Sequence, residues 1–157
     1  MWRLVIVIET LNRKYKVIYA DPPWHFKSFS KKGEGRSAVQ HYDCMDLDSI
    51  CRLPVSSVAD DNSVLLMWVT DPYLQQAFNV MRSWDFTYKT VGFTWVKTNK
   101  SKRYFTGMGY WTRSNPEMCL LGTRGKPKRL DKSIKQLVVS QRREHSRKPD
   151  EVYDRIE

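Results

Sequence analysis

Apolar residues recur along this chain at two spacings, and the change from one to the other predicts the order of elements. Residues 15–20, Tyr-Lys-Val-Ile-Tyr-Ala, are rich in β-branched and aromatic side chains and read as a buried strand. Residues 64–69, Val-Leu-Leu-Met-Trp-Val, are unbroken apolar sequence, as expected of a strand covered on both faces. Further strands are predicted over 88–97 and 118–123, and a last one over 134–139. The helical spacing appears in Leu74, Ala77, Phe78, Met81 and Trp84, which form a core stripe, with Asp71 as cap and Pro72 in the first turn. Asp46 caps a short helix through Leu47, Ile50, Cys51 and Leu53 that stops before Pro54. Asp60, Asp61 and Asn62 read as a turn. Pro149, Asp150 and Glu151 open a final helix whose apolar face begins with Val152, Tyr153 and Ile156. Within residues 1–12, the run Leu4 to Ile8 fits either an edge strand or an ordered tail.

The first strand ends in Asp21-Pro22-Pro23-Trp24. Each proline fixes φ and lacks an N–H, so the strand cannot continue. Asp21 therefore sits at the carboxyl end of a strand, the edge where open α/β sheets bind ligands. The chemistry these residues suit is activation of an exocyclic amino group on a base. Such a nitrogen is a poor nucleophile because its lone pair is delocalised into the ring. A carboxylate accepting one N–H and a stiffly held Pro22 carbonyl accepting the other favour a pyramidal nitrogen, and preorganised acceptors need not reorganise during reaction. Trp24 offers a flat face for a base; the plainer reading makes it a core residue.

Composition narrows the partner. The chain has 157 residues, enough for one domain with a real core. Its formal net charge is +10, which suits a polyanion as well as a generally solvated basic surface. Cys44, Cys51 and Cys119 show no paired spacing, so disulfides and a zinc site are not expected, and a reducing cytoplasm fits. His25, His41 and His145 show no metal-ligand pattern. Leu4 to Ile8 is too short for a membrane span or a signal sequence, and Glu9 follows it.

Two loops attract attention. Residues 25–40 form a long polar stretch behind the proposed catalytic strand, where gating or plain flexibility would both place one. Residues 99–109 combine Lys100, Lys102 and Arg103 with Tyr104 and Phe105. Cations hold phosphates and aromatic rings stack on unpaired bases, which makes this loop the best nucleic-acid contact candidate beside a simple solvated reading. Trp95 and Lys97 share a strand face by the two-residue period. Lys148 lies beside a helix N-terminus, a good place for a carboxylate.

Asp21-Pro22-Pro23-Trp24 after a short strand resembles the DPPW-type adenine-N6 methyltransferases, the family of the eukaryotic messenger-RNA adenosine methyltransferase and of many bacterial and phage relatives. The resemblance extends over residues 15–157 through His41-Tyr42-Asp43-Cys44-Met45, Phe93-Thr94-Trp95-Val96-Lys97-Thr98-Asn99, Glu117-Met118-Cys119-Leu120-Leu121-Gly122 and Ser146-Arg147-Lys148-Pro149-Asp150-Glu151. It implies an α/β fold: a Rossmann-like, open, mostly parallel sheet with helices on both faces, forming one methyltransferase domain over residues 1–157. It implies S-adenosylmethionine as cofactor and the N6 of adenine in nucleic acid as target, DNA ahead of RNA, with a homo- or hetero-oligomer left open.

By the same resemblance Asp21, Pro22, Pro23 and Trp24 are the catalytic residues. Tyr42, Trp95, Lys97 and Glu117 are expected at the substrate, joined by Lys102 and Arg103 from the basic loop. Asp21 is expected to touch the cofactor as well, and Lys148 to hold its methionine carboxylate. The family pattern continues past Glu157 with another strand and a short tail that supply much of the cofactor's ribose and adenine pocket, so the expectation is a domain shortened at its C-terminus. A non-catalytic binding or partner subunit of the same family, and an enzyme acting on cytosine N4 or a glutamine amide, are the competing readings.

Overall fold

A computed structural model describes residues 13–24, 44–143 and 147–157. The expectations for Leu4 to Ile8, for the 25–40 loop and for Tyr42 lie outside the described residues. Five strands form one sheet: β1 (Tyr15–Ala20), β2 (Ala59–Val69), β3 (Thr87–Thr98), β4 (Glu117–Arg124) and β5 (Leu137–Gln141), in the order β1-β2-β4-β3-β5. β1 pairs with β2 and β3 with β5 in parallel, whereas β4 runs antiparallel to both β2 and β3. Four strands thus point one way and β4 alone is reversed. The sheet is α/β and mostly parallel in direction, as the family resemblance implies.

The alternation of β2 distributes its side chains to the two faces. Leu65, Met67 and Val69 turn to one core, where α1 (Leu47–Cys51), α2 (Val55–Val58) and α3 (Leu74–Ser83) pack through Ile50, Val55, Ala77 and Met81. Leu66 and Trp68 turn to the other, with Phe93, Trp95, Cys119 and Val138, closed by Val152 of α4 (Asp150–Ile156). Helices therefore cover both faces. The expected core stripe of α3 is present: Ala77, Met81 and Trp84 are buried, and Leu74 and Phe78 pack against them. Asp46 caps α1 as expected, accepting the Ser49 N–H at 2.7 Å.

Four local expectations change. β1 is not a buried strand: it ends the strand order among the described residues, none of its residues is fully buried, and Val17 is exposed. Asp60, Asp61 and Asn62 are not a turn between elements but lie inside β2. Ala59 pairs with Tyr15 and Val64 with Val17, so two steps of β1 face five of β2, and the extra residues bulge outward. Asp60 closes the bulge by accepting the Asn62 N–H at 2.9 Å, the same local bond that makes aspartate a turn residue. Asp71 is not the cap of α3; Thr70 precedes a short 3-10 turn, Asp71–Tyr73, which leads into the helix. The last strand starts at Leu137 rather than at 134. Among the described residues no helix is long and apolar enough to cross a membrane.

Candidate active site

The end of β1 brings Asp21 to the sheet edge where β3 finishes and the reversed β4 begins. Behind it the proline bend is fixed from within. The Trp24 N–H donates to the Pro22 carbonyl at 2.8 Å, and the Met45 N–H donates to the Pro23 carbonyl at 3.0 Å. The Trp24 side chain is only 6% exposed. Its indole N–H donates to the Trp68 carbonyl at 3.0 Å, and its ring stacks on Tyr73 with centroids 5.7 Å apart. Of the two readings of Trp24, its position matches the core residue: the indole anchors the bend to β2.

Four charged groups from four parts of the chain meet at this edge. Lys148, just ahead of α4, places its Nζ 2.9 Å from Asp21 Oδ2 and 3.3 Å from Glu117 Oε2. The other oxygen of Glu117, Oε1, accepts from Lys97 Nζ at 2.6 Å. Acid and base alternate through Asp21, Lys148, Glu117 and Lys97, and their charges cancel. Two indoles form the floor. Lys97 Nζ lies 5.3 Å from the Trp95 ring centroid and Lys148 Nζ 5.6 Å from that of Trp68. The rings of Trp68 and Trp95 meet edge to face at 6.5 Å. Cations over indole faces in a partly dry setting are attracted by the ring quadrupole. The Trp68 indole N–H donates to the Tyr19 hydroxyl at 2.6 Å, which ties the floor back to β1.

The two carboxylates experience different environments. Burial pushes the Asp21 carboxyl above its ordinary value, and the Lys148 ammonium offsets only part of that rise. Burial pushes Glu117 the same way, but the ammoniums of Lys148 and Lys97 together outweigh it and hold Glu117 below its ordinary value. Burial favours the neutral amine of Lys148, yet Asp21 and Glu117 outweigh it and keep its charge firmly in place. Glu117 is thus the fixed anion of the group, and Asp21 the one held closer to neutrality. Lys148 is 10% exposed and Asp21 33%, so the carboxylate stands at the opening and the ammonium behind it.

An MT-A70 family match covers residues 15–157, nearly the whole chain and all four charged residues. The chain belongs to the MT-A70 family. A Type II methyltransferase, M.MunI, from a Mycoplasma species is 33% identical over 92% of this chain and 67% of that protein. The Drosophila melanogaster N(6)-adenosine-methyltransferase MT-A70-like protein is 31% identical over 94% of the chain and 23% of its own length. The human N(6)-adenosine-methyltransferase catalytic subunit METTL3 is 30% identical over 92% of the chain and 23% of its length. The chain thus spans about two thirds of the first relative and less than a quarter of the other two.

Of the residues singled out in the sequence of this MT-A70 chain, Asp21, Glu117, Lys97 and Lys148 come together, with Trp95 buried beneath them. Lys102 and Arg103 do not join the charged group. They lie exposed on a turn in which the Lys102 N–H donates to the Asn99 carbonyl and the Asn99 N–H to the Arg103 carbonyl. Asn115 went unremarked in the sequence, yet it positions the site. Its Oδ1 accepts the Lys97 N–H at 2.8 Å, and its Nδ2 donates to the Lys97 carbonyl at 2.9 Å and to the Phe105 carbonyl. Backbone pairing of β3 with β4 ends at Trp95 and Glu117. The Asn115 amide takes the next rung of the ladder and fixes the backbone that carries Lys97. An asparagine followed by Pro116 at a strand entrance was the only local signal of it. Among the described residues no cluster of His, Cys, Asp and Glu suits a metal ion.

Proposed function

We propose that this chain is a single methyltransferase domain that transfers a methyl group from S-adenosylmethionine to the exocyclic N6 of an adenine in nucleic acid. One observation carries the reading: a partly exposed carboxylate at a strand end, backed by a rigid double-proline bend, faces a buried lysine across 2.9 Å. Asp21 accepts one N–H of the amine and draws the nitrogen lone pair out of the ring. The Pro22 carbonyl keeps a free lone pair beyond its bond from Trp24, and that lone pair accepts the second N–H. Asp21 is also the acceptor for the proton that the methylated nitrogen sheds, since its environment already favours protonation more than that of Glu117. Trp24 holds the bend, while Glu117, Lys97 and Trp95 line the side on which the base enters.

When bound, S-adenosylmethionine supplies an electrophilic methyl group on a sulfonium centre. The residues present suit its charged end. An ammonium has three donors, and Asp21 and Glu117 use two of those of Lys148, which leaves one for a carboxylate. The two acids and the indole floor suit a sulfonium cation. DNA is put ahead of RNA, the order that the resemblance to the bacterial and phage branch of the family implies. In a duplex the target adenine must leave the stack to reach Asp21.

The test is incubation with S-adenosylmethionine and either DNA or RNA, followed by mass spectrometry of the nucleosides. N6-methyladenine is the expected product, more abundant from DNA. N4-methylcytosine, or no methylated nucleoside from either substrate together with cofactor binding absent by calorimetry, would overturn the proposal.

A further inference from the structure

The segment joining β3 to β4, residues 99–116, rises directly from the charged site: Lys97 stands at its root on one side and Glu117 on the other. It holds four cations, Lys100, Lys102, Arg103 and Arg113, and no acid. It is also tied down. The Asn115 amide grips its base, the Gly107 N–H donates to the Ser114 carbonyl at 2.8 Å, and the Ser114 hydroxyl donates to the Met108 carbonyl at 2.6 Å. Phe105 is covered by the Arg142 guanidinium, 4.1 Å from the ring centroid. Gly109 permits the tight tip, since a Cβ there would lie 2.0 Å from the Thr112 carbonyl oxygen. On this braced tip Trp111 is 99% exposed, and Tyr104 at the loop's base is 73% exposed. A large indole held clear on this loop covers nothing among the described residues.

Resting on the nucleic-acid reading above, we propose that residues 99–116 form a nucleic-acid-reading arm in which Trp111 stacks on a base beside the target adenine. The occupant follows from charge and surface. An acid-free, cationic loop with bare aromatic faces matches phosphates and π-stacked bases. A second copy of the chain, itself at +10, would meet this loop with like charge. A base leaving the stack exposes the faces of its neighbours, and an indole is the largest side chain able to cover one.

The experiment measures binding of the full chain, without cofactor, to a fluorescently labelled mixed-sequence DNA by anisotropy across a salt series. Trp111→Ala should weaken binding about tenfold at every salt concentration, while Trp111→Tyr should recover most of it, because stacking and not charge is lost. Lys102→Ala should instead lower the slope of log affinity against log salt by about one. The unfolding midpoint of Trp111→Ala should equal that of the parent. Parent-like DNA and RNA binding by Trp111→Ala would overturn the proposal. So would a loss of self-association on sedimentation with binding unchanged, which would give the tip to a second copy. If Trp111 controls binding but the parent makes no N6-methyladenine, the arm stands and the catalytic reading falls; if Trp111→Ala binds and methylates like the parent, the reverse holds.

Discussion

The ammonium of Lys148 lies 2.9 Å from the carboxylate of Asp21, although 127 positions separate them in the chain (148 − 21 = 127). The contact joins the end of β1 to the start of α4 and, among the described residues, is the one ion pair of Asp21. It sets the charge state of the proposed catalytic carboxylate. Burial already lifts the Asp21 carboxyl, and among the described residues Lys148 is the neighbour that draws it back down.

Lys148→Met should therefore move the acid limb of the kcat/KM profile to higher pH. The sign follows from the ionisation. The reactive form of Asp21 is the carboxylate, so activity is lost as pH falls through its pKa, and removing the ammonium lets burial raise that pKa further. A pH–rate profile of the two proteins measures the displacement; coincident acid limbs would contradict it.

Asp21→Ala should lower kcat by more than about 100-fold, the order seen when one preorganised polar group is removed from a reacting centre. The fold should tolerate the change, because Lys148 keeps Glu117 as a partner at 3.3 Å. Single-turnover methylation and thermal unfolding, run side by side, check both halves.

Trp24 should matter for stability before it matters for chemistry. Trp24→Ala empties a buried site and breaks the bond to the Trp68 carbonyl, with an expected cost of about 3–5 kcal/mol. Trp24→Phe keeps the ring against Tyr73 and loses the indole N–H, for about 1–2 kcal/mol. Denaturant unfolding of the two variants should rank them in that order.

Asn115→Ala should loosen the root of the arm and the backbone of Lys97 together. The partly buried bonds it makes predict a loss of about 1–3 kcal/mol. With Lys97 less well held, Glu117 keeps less of its counter-charge. The substitution should then be less than additive with Lys97→Met in stability, which a double-mutant cycle measures.

Glu117 should also shape stability against pH. Its pKa is lowered on folding, so its contribution is complete above the ordinary glutamate range and fades as pH falls through the folded value. Asp21, raised on folding, acts in the opposite sense. Glu117→Gln should thus flatten the loss of stability expected of the parent as pH falls below the ordinary glutamate range, as read by urea unfolding at each pH.

Much of the fold was legible because it is written in local burial. The apolar run of β2, the stripe of α3 and the Asp46 cap each depend on neighbours a few residues away. The reversal of β4 depends on pairings with β2 and β3 that leave no local trace. Asp60 to Asn62 misled because an aspartate bonded two residues ahead looks the same in a bulge as in a turn. At the site, Asp21 was legible from a strand stopped by two prolines, Lys148 from its place beside a helix start, and Glu117 and Lys97 through family motifs, but their linkage into one alternating chain of charges needed the fold. Asn115 escaped because an amide that imitates a peptide group leaves little sequence signature beyond its place before Pro116.

The reversed strand has an evolutionary corollary. β4 is clamped between β2 and β3 from its first residues, with Glu117 paired to Trp95, so the position of Glu117 is set by the sheet. The tip beyond Phe105, which Lys97 and Asn115 hold, should be exchangeable as a cassette, with Asn115 as its buckle, while the charged quartet stays in register. Chimaeras carrying a relative's cassette should fold and keep their chemistry while changing which nucleotide contexts they accept.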